Sequence, residues 1–104
     1  MLKRTEHYNQ LLDFYEELLT EKQREILSLY YREDLSLSEI SEHSQTSRAS
    51  IHDLISRCEK KLDYYEKCLS LSSNYQKRKE IYDKILNGQY DDIGLEIKEL
   101  LKIE

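Results

Sequence analysis

Residues 41–54 read "SEHSQTSRASIHDL". A short helix closes, the chain turns on polar residues, and "SRAS" opens a second helix. That order is the pattern of a helix-turn-helix, whose second helix is the one that enters a partner's groove.

The stretch just before it supports the reading. In "DLSLSE", Ser36 can cap a helix and Glu39, three residues on, can reach back to it. A short helix of about Leu37 to His43 follows, with Leu37 and Ile40 inward. "SQT" makes the turn, and Thr46 or Ser47 caps what comes next.

The next helix is long. Ile51, Ile55, Cys58, Leu62, Tyr65 and Leu69 recur at alternating spacings of four and three, nearly three heptads of apolar seam. A compact helix-turn-helix needs about half that length. The surplus, Cys58, Leu62, Tyr65 and Leu69, must bury itself against the first helix, the C-terminal helices or a second copy of the chain. Because the seam exceeds what a compact helix-turn-helix needs, a homodimer is expected.

With Ile51, Ile55 and Cys58 turned inward, the opposite face carries Ala49, Asp53, Ser56 and Lys60. His52 flanks it on one side, Ser50 and Arg57 on the other, while Arg48 lies in the first turn. Base edges are read by Arg, Lys, Asn or Gln. The centre of this face holds Ala49 and Asp53 instead. Arg48, Ser50, His52, Ser56, Arg57, Lys60 and Lys61 are the candidate contacts to nucleic acid or to another partner.

Upstream, Tyr8, Leu11, Leu12, Tyr15 and Leu18 form one stripe of a helix from about Thr5 to Leu19. "TEKQ" then offers Thr20 and Gln23 as a second capping box. It opens a helix to about Glu33 that buries Ile26, Leu29 and Tyr30. Downstream, "SLSSN" (70–74) breaks the pattern. A fifth helix is expected from about Asn74 to Leu86, Gly88 as its left-handed cap, and a sixth from about Asp91 to Ile103. The prediction is a single all-α domain over 1–104: a helix-turn-helix unit (1–69) with an extended fourth helix, and a C-terminal helical addition (70–104).

Composition agrees. The 104 residues include no Pro and two Gly, which favours helices throughout. The nine Tyr are expected to fill the core with their rings while their hydroxyls reach water. The formal net charge is −5, and no third of the chain is basic. Phosphate neutralisation supplies most non-specific nucleic-acid affinity, so this balance argues against a general nucleic-acid binder. The one dense basic cluster, Lys77, Arg78 and Lys79, reads as a solvated helix face. The Tyr pairs at 30–31 and 64–65 read as core and rim rather than as base-stacking platforms.

No Gly-rich phosphate loop or Gly-bracketed nucleophile occurs, so an enzyme is not expected. His7, His43 and His52 have no metal-ligand spacing; no metal and no cofactor are expected. Cys58 fits the seam as a small core residue. No apolar run is long enough for a membrane span, the N-terminus lacks a signal-peptide pattern, and two unpaired Cys suit a cytoplasmic protein.

"LLTEKQREILSLYYREDLSLSEISE" (18–42) and "SRASIHDLISRCEKKLDYYEKCL" (47–69) together resemble the YlxM family of small bacterial proteins. The resemblance spans roughly residues 8–69. It implies a fold like the fourth region of sigma factors. Three positions depart from the usual turn: Ser41 stands where Ala is common, Gln45 where Gly is common, and Thr46 where an apolar residue is common. Genes of that family typically lie beside those of the signal recognition particle. The resemblance therefore implies a non-enzymatic accessory or regulatory role, with protein or RNA components of that particle as partners. A transcriptional regulator that reads duplex DNA through the same helix is the alternative.

Overall fold

The computed structural model describes the backbone of residues 2–103 and the side chains of residues 4–103. The described residues are all-α, with six helices: α1 Leu2–Tyr15, α2 Glu21–Leu27, α3 Leu37–Ser44, α4 Arg48–Leu69, α5 Leu71–Leu86 and α6 Ile93–Ile103. The chain divides into two compact units, residues 1–69 and 70–104.

The core belongs to the first unit. Leu11, Leu12 and Tyr15 of α1 and Ile51, Cys58 and Leu62 of α4 are at most 1% exposed, closed over by Ile26, Leu27 and Ile40. At about 25 cal/mol per Å² of apolar surface, this buried cluster is the main stabilising term of the unit.

α1 stops short of its expected end. After Tyr15 the chain tightens into a 3₁₀ turn, Glu16–Leu18. A 3₁₀ step turns about 120° rather than 100°, so the apolar stripe advances. Leu19 is therefore buried, and Leu18, expected inward, is 51% exposed.

Thr20 and Gln23 make the capping box of α2, at 3.2 and 3.0 Å. The helix then widens into a π turn, Ser28–Arg32. Leu27, the last residue of α2, and Tyr31 of the turn are buried, while Leu29 and Tyr30, expected in the core, pack at its edge. A π turn is rare and re-aims the side chains it carries. Arg32 fixes this one by bonding Asp13, at 2.8 Å, and Glu16, both on the α1 side.

Ser36 and Glu39 form the capping box of α3. Its C-cap, Gln45, is left-handed at φ 54°, in the place where Gly is usual. Two of the turn's departures support each other. The Ser41 hydroxyl donates to the Thr46 carbonyl, and the Thr46 amide donates to the Ser41 carbonyl at 3.2 Å. The turn is thus closed by a polar staple, not by close approach of small residues. Gln45→Gly is expected to raise the unfolding free energy by about 1 kcal/mol, the left-handed penalty less the entropy that Gly loses. A urea titration of the two proteins checks it.

α4 opens with Ser47 as cap, its Oγ accepting from the Ser50 amide at 3.1 Å. Most of its apolar seam is buried within its own chain. Cys58 and Leu62 are fully buried in the core of their own chain. Tyr65 packs its ring 5.9 Å from that of Tyr15. Only Leu69, 51% exposed, lies open. α1, one of the three elements that could cover the seam, runs beside α4 and packs Leu11, Leu12 and Tyr15 in one cluster with Cys58 and Leu62.

In the second unit, the break expected over 70–74 is one residue. Ser70, left-handed at φ 54°, redirects the chain and α5 starts at Leu71. The Asn74 amide already donates to the Ser70 carbonyl at 2.9 Å. α5 ends at a turn with Gly88 at φ 70°. Asp92 then starts α6, two residues later than expected, by accepting from the Gly94 amide at 2.8 Å. Lys84 and Glu96, 3.8 Å apart, join the two helices.

Candidate partner-binding face

The α3–turn–α4 segment stands on the core through Ile40, Ile51 and Ile55. What it turns outward follows from the helix repeat. Arg48, Ser50, His52, Arg57, Lys60 and Lys61 are exposed, and Ser56 is half-buried. From Arg48 to Lys60 the face extends about 18 Å.

The residues do not act as one patch. Ser50 is held at the first turn, its hydroxyl 2.8 Å from that of Ser47. In the middle, Arg57 bonds Asp53 at 2.9 Å across one helical turn, both side chains largely in water. His52, exposed, flanks the outward face. Lys60 and Lys61 lead on from Arg57 along the helix. Nearby, His43 of α3 stands 3.7 Å from Glu25 of α2. The face thus offers isolated cations interleaved with Asp53 and with Glu42 of α3, not a basic stripe.

The side chains that hold α4 in place were not legible as such. Three carboxylates descend one side of the helix at spacings of four and three, and each takes a tyrosine hydroxyl. Tyr31 of the π turn donates to Glu59, which Arg4 also bonds. Tyr8 donates to Asp63 at 2.8 Å, with His7 3.1 Å from the other oxygen. Tyr15 donates to Glu66 at 2.6 Å. These hydroxyls were expected to reach water. They reach carboxylates because α1 lies along α4 and brings each phenol to its flank. The available signal was the spacing of Glu59, Asp63 and Glu66 beside an apolar seam.

The Tyr8 hydroxyl is pushed up from its ordinary 10.0 to about 12, first by burial and then by its bond to Asp63. The folded chain therefore keeps this proton after the unfolded chain has lost it. The contribution is complete below pH 10.0 and is expected to decline from there towards about 12. Urea unfolding at stepped pH measures the decline, and Tyr8→Phe is expected to flatten it.

Among the described residues no group of His, Cys, Asp or Glu converges as metal ligands do. No helix of the described residues is long and apolar enough to cross a membrane.

A short helix, a tight turn and a long capped helix on a packed core define a helix-turn-helix protein. The family described as "Putative helix-turn-helix protein, YlxM / p13 like", UPF0122, matches residues 2–101. A UPF0122 protein of Geobacillus sp. (strain WCH70) is 42% identical over 110 aligned positions, covering 100% of both chains. One from Halalkalibacterium halodurans is 48% identical over 85, covering 82% of this chain and 78% of its own. One from Clostridium kluyveri is 44% identical over 95, covering 88% and 86%. The chain belongs to the UPF0122, YlxM-like family.

Proposed function

We propose that this chain is a non-enzymatic accessory or regulatory protein that binds a protein or ribonucleoprotein partner through the exposed face of α4. Its family resemblance points to a component of the signal recognition particle as that partner.

The observation that carries this reading is the Asp53–Arg57 ion pair at the centre of the face. A major-groove reader aims Arg, Asn or Gln at base edges from this position. Here the carboxylate engages the guanidinium and also repels phosphate. The net charge of −5 supplies no compensating field. Arg48, Lys60 and Lys61 remain exposed and suit carboxylates of a protein, or scattered phosphates of a folded RNA held by a protein.

Duplex DNA is the competing partner, and the α3–turn–α4 geometry itself supports it. Fluorescence anisotropy separates the two at about 150 mM salt, where non-specific phosphate binding is weak. Labelled signal recognition particle RNA, free and assembled with its GTPase protein, is titrated against random duplex competitor. The proposal expects saturable binding that survives the competitor and falls with Lys60→Ala and Lys61→Ala. Binding that the duplex abolishes overturns it in favour of DNA.

A further inference from the structure

The second unit is made of two amphipathic helices with no core of their own. Among its described residues, no apolar side chain is fully buried. On α5, Leu71, Tyr75, Tyr82 and Leu86 share one face and are 42, 43, 47 and 83% exposed. On α6, Ile93, Ile97 and Leu101 do the same at 45, 47 and 60%.

The two stripes form one surface. Ile81, Ile85, Leu100 and Ile103, the less exposed apolar residues, mark the line where the helices meet. Each exposed stripe lies about a quarter turn past that line in the helical sense, at 100° per residue. α6 folds back on α5, and in an antiparallel pair equal offsets in the same sense fall on the same side.

This surface is large enough to supply the apolar part of one side of a standard interface. At about 150 Å² for each fully open side chain, the lower end of the aromatic range, the stripes expose roughly 550 Å². The largest such patch on an ordinary monomer is about 300–600 Å². A standard interface takes about 800 Å² from each partner, little more than half of it apolar.

Charge favours a second copy. Lys79 and Asp83, both exposed, stand one turn apart on the same flank of the α5 stripe. Two α5 helices packed antiparallel about a two-fold axis near Ile81 set each Lys79 against Asp83 of the other copy. A self-complementary surface of this kind is what an isologous dimer requires.

We infer that the apolar face of α5 and α6 is a homodimer interface, with two hairpins closing into a four-helix bundle. The inference is independent of what α4 binds.

Sedimentation equilibrium of the full chain at tens of micromolar tests it. A mass of two chains is expected. Leu86→Glu and Ile97→Glu, each at an open position, are expected to raise the dissociation constant by about tenfold or more. Leu18→Glu, equally open but in the first unit, is expected to leave it unchanged. Far-UV circular dichroism of every variant confirms retained helicity. Lys79→Asp is expected to weaken the dimer by about two- to fivefold, and Lys79→Asp with Asp83→Lys to restore it. A single-chain mass for the unaltered protein overturns the inference. So does a dimer that survives both glutamate variants, and a double charge variant no tighter than the single one overturns the antiparallel register.

Discussion

Glu59→Ala is expected to lower the unfolding free energy by about 2 kcal/mol. Glu59 is 7% exposed and receives both the Tyr31 hydroxyl and the Arg4 guanidinium. Removing its carboxylate strands the hydroxyl of Tyr31, itself 5% exposed. That loss is the larger part of the effect, because an unpaired buried donor costs about 1–3 kcal/mol. Arg4 contributes less. Its side chain is 59% exposed and can turn to solvent, so the full cost of breaking a buried ion pair does not apply. Glu59→Gln keeps an acceptor and the shape, and should lose about half as much. Paired urea titrations of both variants give the comparison. Equal losses would mean that charge, not the hydrogen bond to Tyr31, is what Glu59 supplies.

This network bears on function as well as stability. Tyr8, Tyr15 and Tyr31 bond Asp63, Glu66 and Glu59 on one side of α4. The exposed face of the same helix is thereby fixed in rotation about its axis. Arg57, Lys60 and Lys61 point outward because Cys58, Glu59 and Leu62 cannot. A site on a rigid element is presented without an ordering cost at binding.

The helix boundaries were readable where a local rule settles them. Thr20 with Gln23, and Ser36 with Glu39, announce their helices three residues apart, and both boxes form. The turn at residues 87–88 was readable through Gly88. Misreadings occurred where the backbone leaves the α repeat. The 3₁₀ turn exchanges Leu18 for Leu19, and the π turn exchanges Leu29 and Tyr30 for Leu27 and Tyr31. No residue type marks either turn, because tertiary packing selects it. The left-handed Ser70 is similarly silent in sequence, since Ser carries no preference for that region.

The site divides along the same line. Which α4 residues face outward follows from a 100° step, so the exposure of Arg48, His52, Arg57, Lys60 and Lys61 was legible. Their pairing was not. An i,i+4 spacing permits the Asp53–Arg57 bond, but only the structure puts the two oxygens and the guanidinium in reach. The tyrosine–carboxylate bonds join residues more than twenty positions apart. They depend on which helix lies beside α4, and a periodicity in one helix does not name its neighbour.

Leu62→Ala is the substitution that separates the two roles open to the α4 seam. Leu62 has no exposed surface and packs in the cluster that includes Leu11, Leu12 and Tyr15. Truncating it removes buried methyl groups and leaves a space that the surrounding side chains fill only in part. The expected loss is about 2–5 kcal/mol of unfolding free energy. A domain of this size has about 5–15 kcal/mol in total, so the melting temperature should fall sharply. The α5–α6 surface lies in the other unit, and at temperatures where the variant is still folded its sedimentation mass should match that of the unaltered chain. A seam shared between two copies makes the opposite prediction. There the folded chain would keep its stability when monomeric, and Leu62→Ala would first weaken association. Thermal unfolding and sedimentation on the same sample decide between them, because a core residue moves the first and an interface residue moves the second.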